Sequence, residues 1–508
     1  MAIFLIFLIP ALLALGFYSF YFVSKHFILI EGRFYIGSAY RLIDEHGFWG
    51  AINSILTNND WVTGRIINRV FYVFSSEVCG IHMPCQNLLQ ILLVAFTAGL
   101  LSLFVFQITK SAWVSLFPGV FWTFSFSVIH SVFWQATALD KLCGFFAIAT
   151  LNIVIFNFYN AKTARAIILA NIVLSLSLLV CFFSKEHGLL IAPASFTLVG
   201  ILTYCYDKTS FKIELKKIVL PLLLFATYSV FFIRRIAFNL LDPKSDVLRG
   251  NIKENIKAYM SFALNLDISD RTFFLYLGLI LLAVFVTGCV VISKNKFTRV
   301  QLKYSALMFW SISTFMVFVI GMSRINFQNT YYMYVPGLFC CLFLSFLLIS
   351  IASLKTSNRS SKFLIKPFLA LFLSGLVIHR VWSFRQRFQE VYLPYLTWSQ
   401  NFLESKDILQ KLIGPQLFEK HLVFTSYFRN ISYMFIHTYP DSFVGSFLFQ
   451  EPSHLRLNGE DNLSHLVLNE KKPTELIDNF YYIFYSDEMN IEKVVFNGKV
   501  IFTAGGGQ

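Results

Sequence analysis

Apolar stretches of about 20 residues recur along most of this chain, and they constrain its fold more than any other feature. A helical run of that length crosses the hydrocarbon core of a bilayer. Only 14% of the 508 residues are charged, whereas 56% are apolar. A soluble chain of this length would need several domains with polar surfaces, and these residues cannot cover them. The composition therefore excludes a soluble globular, disordered or disulfide-scaffold protein and indicates a polytopic membrane protein.

We predict a mainly α fold, a transmembrane helical bundle of about eleven spans. The first segment lacks the basic start and small-residue cleavage site of a signal peptide, so we expect it to be retained. The bundle occupies residues 1–383 and has two long outer loops, 24–85 and 237–271. The predicted spans are 2–23, 86–107, 112–128, 142–159, 166–183, 188–206, 218–236, 273–293, 305–322, 333–354 and 367–383.

The polar C-terminal region, residues 384–508, is predicted to form a small α+β domain. Residues 395–420 have helical periodicity. Asn497-Gly498 inside an alternating run is a strong hairpin signal. The predicted strands are His421–Ser426, Tyr481–Tyr485 and Lys493–Phe502.

Lys and Arg in the short loops predict the orientation, because cytoplasmic loops carry an excess of both. One set of loops is rich in them, and the opposite set holds only Lys141, Lys185 and Arg324. This bias places the N-terminus in the cytoplasm, and an odd number of spans then places the C-terminal domain outside. The residues of the basic set are Lys110, Lys162, Arg165, Lys208, Lys212, Lys216, Lys217, Lys294, Lys296, Arg299, Lys303, Lys355, Arg359, Lys362 and Lys366.

Two of the eight cysteines, Cys79 and Cys85, fall in an outer loop, and the other six lie in apolar segments. In an oxidising compartment the two could form a disulfide, and free thiols are the alternative. His82 between them adds a third candidate metal ligand, but no fourth lies nearby, so we predict no metal site.

Carboxylates in the first outer loop are candidate general bases, since a carboxylate fixed at the membrane surface can accept a proton from a hydroxyl. Glu31 follows the first span directly, and Asp44 and Asp60 come later in the loop. The alternative for Glu31 is an ion pair with Arg33 or a helix cap.

Two further polar clusters lie at predicted outer turns, where charges are costly and often mark a site. His130 and Asp140-Lys141 bound one turn; the alternative is an Asp–Lys pair with an interfacial histidine. Lys185 and Glu186 lie in the second turn, Ser184–His187; the alternative is that a turn simply needs polar residues.

Basic residues at outer helix ends are candidate phosphate ligands, because Arg presents a planar fork of donors. Anchoring to lipid headgroups is the alternative for each of Arg234, Arg235, Arg324 and Arg380. Aromatic residues could stack on sugar rings or anchor the chain at the interface; they are Trp61, Tyr331 and Tyr332.

The motifs of soluble enzymes are missing from the sequence, including the Walker loop, the GxGxxG and HExxH motifs and the GxSxG elbow. The outer loops also lack an Asp-x-Asp pair. A nucleotide-sugar donor held through a metal is therefore disfavoured, and a lipid-linked donor is expected, with no cofactor.

Five stretches resemble GT-C membrane glycosyltransferases. Glu31-Gly32-Arg33-Phe34-Tyr35, with Asn59-Asp60-Trp61, is similar to an element of the lipid-A aminoarabinose transferases. Three more stretches resemble motifs of the tetratricopeptide-linked O-mannosyltransferases, and they run from His130-Ser131 to Asp140-Lys141-Leu142, from Phe183 to Gly188 and from Gln328 to Gly337. The size and the loop layout resemble the bacterial and phage serotype-converting O-antigen glucosyltransferases.

The resemblance implies transfer of a sugar, glucose by the closest layout, from a polyprenyl-phosphate donor to a hydroxyl of a lipid-linked or cell-envelope glycan. It implies a bacterial inner-membrane enzyme with a periplasmic C-terminal domain and no nucleic-acid partner. Glu31 would be the base of an inverting displacement, with Asp44 and Glu186 as further catalytic carboxylates. Arg234, Arg235, Arg324 and Lys185 would bind the donor phosphate. The substrate-binding set would be Arg33, Asp60, Trp61, His130, Asp140, Tyr331 and Tyr332.

Two other functions are weighed against this hypothesis. A polysaccharide or lipid transporter would be expected to show paired half-repeats and broken helices near the midplane. The sequence shows no such symmetry, and its strong charges lie at the predicted outer surface rather than at mid-bilayer. The second is an inactive scaffold or a subunit resembling O-antigen ligases.

Overall fold

The structure is a computed structural model. It describes residues 2–23, 30–57, 65–80, 82–133, 137–206, 216, 218–241, 251–265, 299–322, 330–352, 374–414, 421–426, 465–468, 480–486 and 490–504.

The described chain is mainly helical. Its α-helices are α1 (Ala2–Tyr18), α2 (Ile30–Thr57), α3 (Ile66–Cys79), α4 (Met83–Thr109), α5 (Ala112–Thr123), α6 (Phe126–Phe133), α7 (Ala138–Asn160), α8 (Ala164–Ser184), α9 (Ile191–Tyr206), α10 (Val219–Leu241), α11 (Ile252–Leu264), α12 (Arg299–Met322), α13 (Tyr334–Ala352), α14 (374–387) and α15 (Leu393–Ile413). Short 3-10 turns cover Glu186–Leu190 and Thr330–Met333, and single π-helical turns cover Ser19–Val23 and Phe388–Tyr392.

The long apolar helices indicate that this is a membrane protein. Within the described residues, 6 helices are long and apolar enough to cross a bilayer: α1, α4, α7, α8, α9 and α12. Helices α5 and α6 meet at a bend of 51° and give a seventh if they form one broken span. The predicted count of about eleven is not confirmed. The predicted span 273–293 lies outside the described residues, as do residues 367–373 of the last predicted span.

The bundle core is built where apolar faces of consecutive and non-consecutive helices meet. Helix α1 packs along α4, α4 packs on α5 and α7, and α13 packs on α12 and α5. Two of the polar groups inside this core are hydrogen-bonded to backbone carbonyls: the Tyr18 hydroxyl donates to the Thr123 carbonyl at 2.5 Å, and the Trp122 indole donates to the Tyr334 carbonyl at 3.4 Å. Burying these two polar groups without a hydrogen-bond partner would destabilise the folded protein.

The described residues of the predicted first outer loop, 24–85, include helices α2 and α3. Gly47 interrupts α2 with a φ of 69°, a left-handed value that favours glycine, so α2 consists of two helical halves. The apolar face of α2 and α3 packs against Ala138 at the start of α7 and Phe183 near the end of α8. Cys79 and Cys85 are joined by a disulfide between α3 and α4, so of the two alternatives the structure shows the bonded one.

Arg380, one of the four candidate phosphate ligands, has a structural role instead. Its side chain is 1% exposed and lies in the core. The guanidinium donates to Asn265 Oδ1 at 2.7 Å and to the Ala263 carbonyl, at the end of α11. It also covers the ring of Phe121 at 4.0 Å. Arg380 therefore caps a helix C-terminus, where a cation is favoured, and the phosphate-ligand interpretation is wrong for it.

The C-terminal region contains α15 and a small five-stranded sheet in the order β2-β1-β3-β4-β5. Strand β1 pairs in parallel with β2 and β3, and β3, β4 and β5 are antiparallel neighbours. Asn497 and Gly498 have φ values of 48° and 74° and form the predicted hairpin turn. The predicted strands are confirmed, with the run Lys493–Phe502 divided by the hairpin turn into β4 and β5. The predicted helix 395–420 is confirmed as far as Ile413, and residues 415–420 lie outside the described residues. Strand β2 was not predicted. The strands are β1 (His421–Ser426), β2 (His465–Leu468), β3 (Phe480–Tyr485), β4 (Ile491–Phe496) and β5 (Lys499–Thr503).

Candidate functional site

A buried ion pair joins the two polar clusters that the sequence placed at separate turns. Asp140 lies in the first turn of α7, and Lys185 follows the last residue of α8. Consecutive helices α7 and α8 pack together, so the start of one meets the end of the other. Lys185 Nζ donates to Asp140 Oδ1, and the two side chains are only 3% and 1% exposed. Asp140 therefore forms its ion pair with Lys185 and not with its sequence neighbour Lys141, which was the alternative.

Lys141 instead connects α6 to α7. Its ammonium donates to the Ser131 carbonyl and to Thr137 Oγ1, the latter at 3.0 Å. The Thr137 hydroxyl donates to the same Ser131 carbonyl at 2.8 Å. These bonds give a buried lysine its partners and fix the end of α6 beside Asp140.

Tyr332 and His187 complete the wall around Lys185. The Lys185 ammonium lies 4.8 Å from the centroid of the Tyr332 ring, a cation–π distance. The His187 ring lies 6.2 Å from the rings of both Tyr332 and Phe318. Residues 186–190 form a single 3-10 turn, which confirms the predicted tight turn.

The cluster carries more positive than negative charge. Asp140 interacts electrostatically with three cations, Lys185, Lys141 and Arg65. Its second oxygen, Oδ2, is buried and has no hydrogen-bond partner among the described residues. A buried site with several cations around one carboxylate suits an anionic group such as a phosphate.

His130 lies in a neighbouring aromatic and basic environment. Its ring is 6.1 Å from that of Tyr392, and it interacts electrostatically with Arg387 and Lys141. The Arg387 guanidinium lies 5.8 Å from the ring of Phe126. Through Lys141, this cluster adjoins Asp140 at the same end of the bundle, which we call the Asp140 end.

An apolar groove of about 630 Å³ runs between α9 and α12. Leu190 and Val317 line it near the Asp140 end, and Tyr204 and Ala306 line its far end. The 3-10 turn that contains His187 leads directly into α9. The His187 ring lies 6.2 Å from the ring of Phe318, which is the residue after Val317 in α12. The groove therefore begins beside the charged cluster.

The other predicted site residues divide into three groups. Asp44 is exposed on α2. Some lie in helices or turns of which only the backbone is described: Glu31, Arg33, Glu186, Arg234, Arg235 and Tyr331. Asp60, Trp61 and Arg324 lie outside the described residues. The structure thus brings together His130, Asp140, Lys185 and Tyr332.

Sequence reasoning missed Arg65 and Arg387. Arg65 precedes α3 in the predicted outer loop, and Arg387 ends α14. Both are basic residues on a side that the loop bias leaves poor in cations, so the rule that selected Arg234 could have found them. The groove had no comparable signal, because its lining is ordinary apolar span sequence.

A scan against models of protein families finds no match to this chain, and a search of curated proteins finds none either.

Proposed function

We propose that this protein is an integral membrane glycosyltransferase that transfers a sugar, by resemblance glucose, from a polyprenyl-phosphate donor to a glycan hydroxyl. The acceptor would be a lipid-linked or cell-envelope glycan such as O-antigen. The observation that supports the proposal most is the cationic cluster around Asp140 and Lys185 at the mouth of the α9–α12 groove. The cationic cluster would bind the phosphate of a lipid-linked sugar, and the apolar groove would bind its lipid chain.

In the proposed topology the chain crosses the bacterial inner membrane about eleven times, with its N-terminus in the cytoplasm. The Asp140 end then faces the periplasm, as does the C-terminal sheet. Lys162 lies between α7 and α8, and Arg165 lies in the first turn of α8, at the opposite end of that helix pair. Both agree with the excess of cations on the cytoplasmic side.

The groove is long enough to hold a lipid chain. Its lining runs from Leu190 to Tyr204 along α9, which at 1.5 Å per residue is about 21 Å. One leaflet of the hydrocarbon core is about 15 Å thick. A lipid chain that fills the groove would pass the middle of the membrane, so the groove can hold part of a polyprenyl chain.

The donor phosphate would lie against Lys185 and Arg65, with Arg234, Arg235 and Arg324 as further candidate ligands. Asp140 and Tyr332 hold the Lys185 ammonium in place. A cation fixed beforehand in a dry site stabilises charge that develops in a transition state without having to reorganise. That charge develops on the departing polyprenyl phosphate.

The proposed reaction is a single inverting displacement. Glu31 accepts the proton of the acceptor hydroxyl, whose oxygen forms a bond to the anomeric carbon. The bond from that carbon to the phosphate oxygen breaks, and its electron pair leaves with the phosphate. Asp44 and Glu186 remain candidate assisting carboxylates. The acceptor would contact Arg33, Asp60, Trp61, His130, Asp140, Tyr331 and Tyr332. We expect no metal requirement.

The catalytic assignment is tested by Glu31→Gln, with Glu45→Gln as the control on the same helix. Glu45 is exposed on α2 and lies 3.9 Å from His46. Membranes containing each variant are supplied with a radiolabelled polyprenyl-phosphate sugar, and label in the glycan fraction is counted. We expect Glu31→Gln to lose at least about 100-fold of the rate, as loss of a general base does, and Glu45→Gln to keep it. Full transfer by Glu31→Gln would refute the mechanism. Lipid translocation without transfer would favour a transporter.

The lipid-binding assignment is tested by Gly200→Leu, which places a side chain in the groove. A Cβ at Gly200 meets nothing within 4 Å, and the same holds for Gly16 on α1, so Gly16→Leu is a matched control. We expect Gly200→Leu to raise the KM for the lipid donor and Gly16→Leu to leave it unchanged. Equal kinetics in the two variants would show that the groove does not hold the donor.

A further inference from the structure

Two π-helical turns meet at the Asp140 end of the bundle. One, Ser19–Val23, extends α1, and the other, Phe388–Tyr392, joins α14 to α15. Their aromatic side chains are in contact: the Phe388 ring lies 4.9 Å from that of Tyr21 and 5.7 Å from that of Phe22. π-helical turns are rare and are frequent at functional sites, because they displace side chains from the regular helical face.

A pocket of about 390 Å³ opens where these turns meet. The rings of Tyr21, Phe384 and Phe388 give it apolar walls, and the exposed side chains of Arg385 and Gln389 stand at its rim. A few polar groups around an aromatic surface are typical of small-ligand pockets.

The polar groups of this pocket suit hydroxyls better than a phosphate. A hydroxyl both donates and accepts hydrogen bonds, and the Gln389 amide and the Tyr21 phenol can do both as well. A phosphate only accepts, and it would call for several cations, whereas the described lining offers Arg385 alone. A sugar ring combines hydroxyls with an apolar face and so matches both the rim and the rings.

The pocket adjoins the candidate site through one residue. Leu393 lines the pocket, and its neighbour Tyr392 contacts His130 and lies 4.7 Å from the ring of Phe133 at the end of α6. His130 in turn lies near Lys141 and hence Asp140. A glycan bound here could extend from the pocket to the charged cluster.

We propose that this pocket binds a sugar residue of the acceptor glycan, next to the residue that receives the new sugar. The inference rests on the proposed transferase function and assigns the acceptor to the junction of α1 with the helices that lead to the C-terminal sheet.

Photocrosslinking in intact cells tests the pocket without relying on turnover. Benzoylphenylalanine replaces Leu393, which lines the pocket, or Ile378, which is exposed on α14 away from it. After irradiation, we expect a periodate-sensitive glycan adduct at Leu393 and none at Ile378. A phospholipid adduct alone, or equal glycan adducts at both positions, would overturn the proposal, as would no adduct at Leu393.

A pair of glutamines supplies the kinetic test. Gln389 lines the pocket, whereas Gln386 lies on the same stretch of helix and donates to Glu390 at 2.9 Å. Lipid-linked glycan extracted from host membranes is titrated into membranes containing Gln389→Ala or Gln386→Ala. We expect Gln389→Ala to raise the acceptor KM about threefold to tenfold, the loss of one hydrogen bond, with the donor KM unchanged. Equal acceptor KM values in the two variants would refute the assignment.

The experiments distinguish a failure of the transferase mechanism from a failure of the acceptor pocket. Glycan adducts at Leu393 in cells whose Glu31→Gln variant keeps full transfer would retain the pocket and reject the mechanism. Full transfer by the wild type without such adducts would retain the transferase and reject the pocket.

Discussion

Removing Asp140 is expected to destabilise the protein more than removing Lys185. Both side chains are almost fully buried, and loss of one partner of a buried pair costs about 3–5 kcal/mol because it leaves an uncompensated charge. In Asp140→Asn, the Lys185 ammonium loses its carboxylate partner, while the positive charges of Lys141 and Arg65 remain nearby and repel it. In Lys185→Met, Asp140 still interacts with those two cations. We therefore expect the loss in unfolding free energy to be near the top of that range for Asp140→Asn and near the bottom for Lys185→Met.

The double variant Asp140→Leu/Lys185→Met removes both charges, and we expect it to recover more than half of the loss from Asp140→Asn. Paired apolar replacement of a buried ion pair is often neutral or stabilising. Transfer activity should not return, because the proposed phosphate ligand is gone. Salt should change these differences little, since buried pairs are weakly screened.

The assay is thermal unfolding of five proteins purified in one detergent, together with transfer activity in membranes. They are the wild type, Asp140→Asn, Asp140→Leu, Lys185→Met and the double variant, so that Asp140→Leu and Lys185→Met close a cycle with the double variant. A double-mutant cycle on the unfolding free energies gives the coupling energy of the two positions. Additive losses would refute the buried pair. A larger loss for Lys185→Met than for Asp140→Asn would refute the argument that cations surround Asp140.

Three further predictions concern single features of the fold. Reduction of Cys79–Cys85, which closes a loop with a sequence separation of 6, should lower stability by about 2 kcal/mol on the loop-entropy estimate, measured as a shift of Tm with and without reductant. Gly188→Ala should abolish most transfer while the protein still inserts in the membrane, because its Cβ would lie 2.1 Å from the Cys181 carbonyl oxygen and displace the turn that carries Lys185; normal activity would contradict this. Gly498→Ala should cost about 1 kcal/mol, since φ at that position is 74°, and limited proteolysis of the full chain should cut the C-terminal region faster than in the wild type.

Local signals predicted several of the described elements of this protein. Apolar length located the described spans, and Asn497-Gly498 predicted its hairpin because both residues tolerate a positive φ. The tight turn at Lys185 was also predicted. The bend between α5 and α6 was not predicted, since the two residues between these helices, Phe124 and Ser125, include no glycine or proline to mark a break.

The sequence by itself determined that the chain enters a membrane and that charges gather at helix ends, because hydrophobicity and charge are properties of each residue. Only the tertiary structure decided which charges meet. Asp140 pairs with Lys185, 45 positions away, and Arg380 turns inward to cap α11 rather than face a ligand. Such partners follow from how helices pack against each other, since a buried charge takes the oppositely charged or polar group that the packing brings within reach.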